Sequence, residues 1–190
     1  MTRASDVAKI LKQPFTNTLG TSNYRAGVNA GDSIASGGNY NVAIGDEAGT
    51  AITTGDHNTA IGFSALDAED GGTASVAIGN YALSAQNADG NNYNTAVGYV
   101  AGSDITTGIE NTIIGGLAGD ALSDADYNTI VGTRALGSDT KGSRSTAIGY
   151  SALSTQNFSS STNANNTAVG FFAGVGVTTG SSNTLIGAEA

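Results

Sequence analysis

The chain's one histidine, His57, is the side chain best suited to proton transfer near neutral pH. It stands immediately before a short apolar phrase, where other copies of that phrase place Tyr40, Tyr93, Glu110, Arg144 or Ser182. A position that accepts such different side chains is expected on the surface, without a catalytic role. Serines are numerous, but no Gly-x-Ser-x-Gly elbow occurs and no base is placed to activate one. Glycoside hydrolysis needs two carboxylates facing each other across a sugar. The densest acidic groups are Asp67, Glu69 and Asp70, then Asp120, Asp124 and Asp126; both fall in turns, where solvated corners are expected. Carboxylates and carbonyls could hold calcium there, yet neither the EF-hand loop nor the Gly-Gly-x-Gly-x-Asp nonapeptide is present. No Gly-Lys-Ser or Gly-Lys-Thr follows the many glycines, so there is no phosphate-binding loop. The residues therefore point to a protein that is not an enzyme and holds no cofactor or metal.

Composition narrows the remaining classes. The net charge is −9, and the seven Lys and Arg residues are scattered, which speaks against a nucleic-acid partner. No stretch reaches the roughly 18 apolar residues of a membrane helix, so no membrane span is expected. Met1 to Lys12 has no apolar block of signal-peptide length, an argument against ordinary secretion. Cysteine is absent, which removes disulfide scaffolds and thiolate-bound metals. Only 12% of residues are charged and 28 are glycine, as in disordered low-complexity chains, but 39% are hydrophobic. The glycines have no three-residue period, so the chain is not collagen-like.

What organises the chain is a five-residue phrase that recurs nine times, beginning at Asn41, Asn58, Ser75, Asn94, Asn111, Asn128, Ser145, Asn166 and Asn183 and always ending in glycine. The steps from one such glycine to the next are 17, 17, 19, 17, 17, 17, 21 and 17. Three residues after each glycine there is an alanine, and the residue after that, where the chain continues, is Gly or Leu. The phrase reads as a short strand. Its fourth position is always β-branched: Ile44, Ile61, Ile78, Val97, Ile114, Val131, Ile148, Val169 and Ile186, the expected repeat core. Its second position, Thr or Val, shares that face; its third, Ala, Ile or Leu, faces the other way. Both faces are nearly apolar, which predicts burial on two sides.

A 17-residue step is too short for a βαβ unit and half the period of the common helical repeats. It suits one coil of a parallel β-solenoid or β-roll with two short strands and two turns per coil. About nine coils at about 4.8 Å each give a rod near 40 Å long. Thr53-Thr54-Gly55, Thr106-Thr107-Gly108 and Thr178-Thr179-Gly180 mark one corner, where glycine supplies positive φ or room for a close backbone approach. The opening asparagines suit αL and could form an amide ladder along the rod, interrupted by Ser75 and Ser145. A larger unit repeats Ala-Leu-Ser-x-Gln-Asn at 82–87 and 152–157. The extra residues of the two long coils follow it, in 88–93 and 158–165, and are expected to bulge as loops, either as surface excursions or as a binding face. One coil offers little large apolar volume against about 1–2 kcal/mol of backbone entropy per ordered residue. If one strand face fills the coil, the other is free to meet partner chains, and a homotrimer is expected.

Phrases such as Asn58-Thr-Ala-Ile-Gly-Phe-Ser-Ala-Leu66 and Asn94-Thr-Ala-Val-Gly-Tyr-Val-Ala-Gly102, joined by Thr-Thr-Gly, resemble the repeats of bacteriophage tail fibre and tail spike shafts. Ser75-Val-Ala-Ile-Gly79 is similar to the head repeats of trimeric autotransporter adhesins, although those repeats are shorter than the step found in this chain. The resemblance covers residues 41–190 and implies a trimeric fibre shaft of a virion. The runner-up is a cell-surface adhesin that binds a host glycan or protein, with Tyr99, Tyr150, Phe171 and Phe172 as stacking aromatics or as packing between chains. A glycan-cleaving spike comes last because no acid–base pair can be named. The chain runs to Ala190 in mid-repeat, so a longer fibre or another protein is expected to continue or cover the last coil.

Residues 1–40 are read as a separate attachment or capping segment ahead of the shaft at 41–190. Ser5-Asp6 can start a short helix whose Val7, Ile10 and Leu11 share one face before Pro14 ends it. That face is the expected anchor to virion tail or baseplate proteins, or else a cap on the first coil. Residues 16–40 are read either as degenerate coils or as a transition loop.

Overall fold

The computed structural model describes residues 20–190. The expected helix and the anchor residues Val7, Ile10 and Leu11 lie outside the described residues. The described chain is all β: β1 (Tyr24–Ala26), β2 (Val42–Ile44), β3 (Thr59–Ile61), β4 (Gly72–Thr73), β5 (Val76–Ile78), β6 (Gly90–Asn91), β7 (Thr95–Val97), β8 (Thr112–Ile114), β9 (Thr129–Val131), β10 (Gly142–Ser143), β11 (Thr146–Ile148), β12 (Thr162–Asn163), β13 (Thr167–Val169) and β14 (Thr184–Ile186). Ten of these form one parallel sheet in the order β1-β2-β3-β5-β7-β8-β9-β11-β13-β14. Every neighbouring pair is in register, for example Thr59 with Val76 and Ile61 with Ile78. The fold is a parallel β-solenoid of about ten turns.

Four expectations need correction. The boundary at residue 41 falls too late, because Tyr24, Arg25 and Ala26 pair with Val42, Ala43 and Ile44; of the two readings of residues 16–40, the degenerate coil is the one found over the described residues 20–40. Most coils have one strand, not two. A second strand exists only as the two-residue pairs β4-β6 and β10-β12, and β6 and β12 lie within the two insertions. Those insertions are therefore paired to the coil before them and do not simply bulge.

The third correction concerns the core. The middle residue of each strand points inward, and Ala43, Ala60, Ala77, Ala96, Ile113, Ile130, Ala147 and Ala168 have no exposed surface. The β-branched column Ile44, Ile61, Ile78, Val97, Ile114, Val131, Ile148, Val169 and Ile186 points outward and is half-buried or exposed. Alternation along a strand puts one set or the other inside. A 17-residue loop encloses too little space to take a large residue from the strand in every coil, so the smaller set goes in.

Fourth, the left-handed residue is the one before the opening asparagine. Tyr40, His57, Glu110 and Tyr127 have φ of 58°, 59°, 57° and 60°. The position that looked merely permissive is a corner at which side chains of any type point away from the coil. The Thr-Thr-Gly corners use the other of the two expected devices, close approach: a Cβ on Gly55 would lie 2.3 Å from the carbonyl oxygen of Gly72 in the next coil. The glycine that ends each strand phrase combines both demands. Gly98 has φ of 146°, and a Cβ there would lie 2.5 Å from the carbonyl oxygen of Gly115.

Corners and strands alike bond to the coils on either side, which lets an irregular backbone stay dry. Glu47 N–H donates to Val28 at 2.9 Å, Gly49 N–H to Ala65 at 2.8 Å, and His57 N–H to Asn39 at 2.9 Å.

Candidate functional site

Two features of the rod go beyond its backbone: a graded interior and a continuous outer sheet face. Besides the inward strand residue and the buried alanine three residues after the glycine that ends the strand phrase, the interior has two variable positions per coil, four and seven residues after that glycine. Where the first is glycine, the second is apolar: Gly31 with Ile34, Gly49 with Ile52, Gly102 with Ile105, Gly119 with Leu122, Gly174 with Val177. Where the first is leucine, the second is polar: Leu66 with Glu69, Leu83 with Gln86, Leu136 with Asp139, Leu153 with Gln156. Space explains the exchange. A Cβ on Gly49 would come within 2.9 Å of Ile52 Cδ1, and one on Gly119 within 3.0 Å of Leu122 Cδ1. The two residues reach into one volume, so one large apolar side chain excludes the other. The leucine coils keep alanine at the inward strand position, whereas Ile113 and Ile130 occupy it in glycine coils.

The polar residues of the leucine coils are not at solvated corners. Glu69, Gln86, Asp139 and Gln156 are fully buried, which overturns the expectation for Glu69. They form two equivalent networks. Gln86 Nε2 donates to Glu69 Oε2 at 2.7 Å and to Ser75 Oγ at 2.8 Å, while Asn94 Nδ2 donates to Gln86 Oε1 at 2.8 Å. In the second copy Gln156 Nε2 donates to Asp139 Oδ2 at 2.5 Å and to Ser145 Oγ at 3.2 Å, and Asn166 Nδ2 to Gln156 Oε1 at 2.7 Å. Each carboxylate also gathers backbone donors from the corner and the insertion. Gly72 N–H reaches Glu69 at 2.7 Å; Gly142 and Phe158 N–H groups reach Asp139 at 3.1 Å. Asn92, within the first insertion, donates to Glu69 Oε2 at 3.0 Å. The acid thus pins the insertion to the coil before it.

Burial pushes the Glu69 carboxyl above its ordinary value, against the opposing pull of the Gln86 amide and the backbone N–H groups. Asp67 and Asp120 are also raised, first by burial; Asp124 is lowered because the Ser161 and Ser123 hydroxyls and Lys141 together outweigh its desolvation.

The asparagine ladder is continuous on either side of these networks. Asn111 Nδ2 donates to the corner carbonyl of Ala125 at 2.8 Å, and its Oδ1 accepts from the N–H of Asn128 at 2.9 Å. Asn41 Oδ1 and Asn58 Oδ1 accept in the same way from the N–H groups of Asn58 and Ser75. Ser75 and Ser145 interrupt the ladder where the glutamine of the next coil needs room to reach over. Sequence reasoning missed this link between serine, glutamine and acid. Its signal was present: Leu, acid and Ser occur together in two coils, each followed one coil later by glutamine.

The outer sheet face carries two columns. One runs Val42, Thr59, Val76, Thr95, Thr112, Thr129, Thr146, Thr167 and Thr184; the other is the β-branched column from Ile44 to Ile186. Ile114 is 41% exposed although it is flanked on both sides by in-register strands. Aromatics flank this face: Tyr150 stacks on Phe171 with ring centroids 5.6 Å apart and planes 18° apart, and Phe172 packs edge-on against both. His57 stacks on Tyr40 at 5.0 Å and 8°, as one member of a corner column. A separate open groove of about 480 Å³ is lined by Leu117, Asp120, Arg134, Ser138, Ser151 and Thr155, among others. Among the described residues no three His, Cys, Asp or Glu side chains group as metal ligands, and no helix is long and apolar enough to cross a membrane. No protein-family model, curated protein or solved structure matches the chain significantly.

Proposed function

We propose that the chain is a structural shaft, the rod of a virion tail fibre, that assembles as a homotrimer through its outer sheet face. The observation that carries this reading is the unbroken Thr/Val and Ile/Val face of the nine in-register strands from β2 to β14 that form the long sheet with β1. At about 4.8 Å per strand the nine strands make a face about 40 Å long, and three residues per strand make it about 10 Å wide. Packing this face against two other copies removes the outward β-branched column from water, at about 25 cal/mol per Å² of apolar surface. Small residues in the coil and large ones on its outer face distribute volume as a rod in a bundle requires. The segment before residue 20 is the proposed attachment to virion tail or baseplate proteins.

The alternative, a surface adhesin that binds a host glycan through its aromatics, draws less support from the ring geometry. Sugars stack on ring faces, and Tyr150 and Phe171 turn those faces toward each other along the rod. The test is the mass in solution. A trimer gives about three times 18.7 kDa by sedimentation or mass photometry; a stable, folded monomer refutes the assembly.

A further inference from the structure

The nine coils built on β2 and the later strands of the long sheet share one backbone and nearly one strand sequence, so strand pairing alone says little about which coil stacks on which. A one-coil slip keeps every strand in register with another Thr-x-Ile or Thr-x-Val strand. The interior does discriminate. Its coils follow the order Gly, Gly, Leu, Leu, Gly, Gly, Leu, Leu, Gly at the first interior position: Gly31, Gly49, Leu66, Leu83, Gly102, Gly119, Leu136, Leu153 and Gly174. Within each leucine pair the first coil carries the acid and serine, and the second carries the glutamine.

We infer that the Glu69–Gln86 and Asp139–Gln156 pairs are stacking-order locks: a carboxylate coil accepts only a glutamine coil as its next neighbour, which fixes the order of otherwise interchangeable coils at two points. The pairing is directional. Glu69 needs the donors Gln86 Nε2 and Asn92 Nδ2 from the following coil, and Gln86 in turn accepts from Asn94 of its own coil. A slip that skips the glutamine coil sets Glu69 against Ile105, which is fully buried and has no donor. A fully buried carboxylate facing a hydrocarbon is among the costliest mismatches in a protein interior. Asp139 meets the same fate against Val177 if the Gln156 coil is skipped. The insertions belong to the same device. Phe158 N–H donates to Asp139, and Asn92 to Glu69, so the long coil is recognised by its extra residues as well as by its glutamine.

Coil deletion separates this from a merely additive rod, in which removal of any one coil costs about the same. Deleting residues 116–132 removes the Leu122 coil and brings Ile105 next to Asp139, with both locks intact. Deleting residues 80–98 removes the glutamine coil and leaves Glu69 against Ile105. The lock predicts that the first variant keeps a cooperative urea transition with a modest fall in midpoint. The second falls roughly threefold further, or loses cooperativity, because it strands a buried charge. In that background Leu66→Gly, Glu69→Ile and Ser75→Asn together convert the acid coil to the glycine type and restore the transition. Equal falls for the two deletions, or failure of the triple replacement to restore the second, would overturn the inference.

Discussion

Replacing Gly102 by leucine tests whether the interior is one shared volume per coil. The added Cβ would lie 2.9 Å from Ile113 Cδ1, 3.1 Å from Ile105 Cδ1 and 3.2 Å from Leu83 Cδ2. With φ of 59°, leucine also enters the left-handed region. The backbone costs about 1–2 kcal/mol and the overpacking about 1–3 kcal/mol, so Gly102→Leu alone destabilises by about 2–5 kcal/mol. Ile105→Ala alone opens a cavity worth about 2–5 kcal/mol. If the two positions were independent, the double variant would lose about 4–10 kcal/mol. The leucine coils show the other outcome. Leu66, with φ of 52°, is fully buried in that conformation and fills the space that isoleucine fills elsewhere. In the double variant leucine fills the Ile105 cavity while the contact with Ile113 Cδ1 at 2.9 Å and the backbone term remain, so it should lose about 2–5 kcal/mol, clearly less than that sum. Urea unfolding followed by far-ultraviolet circular dichroism, at a protein concentration held constant across the four proteins, closes the cycle. A double variant whose loss equals the sum of the single losses, within about 0.5 kcal/mol, refutes the shared-volume argument.

Glu69 makes the rod respond to pH. A carboxyl whose folded value lies above the ordinary 4.5 binds its proton more tightly in the folded state. Its stabilising contribution is therefore fully present below 4.5 and is lost as pH rises through the raised folded value. Unfolding midpoints should fall as pH rises above 4.5, and Glu69→Gln should flatten that slope; an unchanged slope refutes the assignment. Asn111→Ala leaves the Ala125 carbonyl and the Asn128 N–H without their ladder partner, at about 2–4 kcal/mol, to be measured as a fall in the thermal midpoint. Ile114→Lys, on the exposed outer column, should leave the circular dichroism spectrum intact and shift the sedimenting species from trimer to monomer. An undisturbed trimer would place the interface on another face. A Gly98→Ala change, whose Cβ has only 2.5 Å to the Gly115 carbonyl oxygen, should disrupt coil stacking locally, seen as faster amide exchange in β7 and β8.

The repeat length, the strand phrase and the glycine after it were legible in the sequence because nine aligned copies average out local ambiguity. From them follow the parallel solenoid, its in-register stacking and the amide ladder. Residues 20–40 were harder to read, since Asn23-Tyr-Arg-Ala-Gly27 keeps the Asn and Gly of the phrase but loses its Thr or Val and its β-branched residue. Which strand face is inside was decided by the tertiary structure: period-two alternation names two faces but not the volume that a closed 17-residue loop can hold. Only the fold could place Glu69 indoors. A carboxylate between two other acids reads as solvent-facing until the coil path brings Gln86, Asn92 and the Gly72 N–H around it. The sequence by itself determined that the chain coils, because periodicity is a property of order along the chain. The structure alone decided what each coil encloses, because burial depends on residues a full repeat apart that become neighbours only when the coils stack.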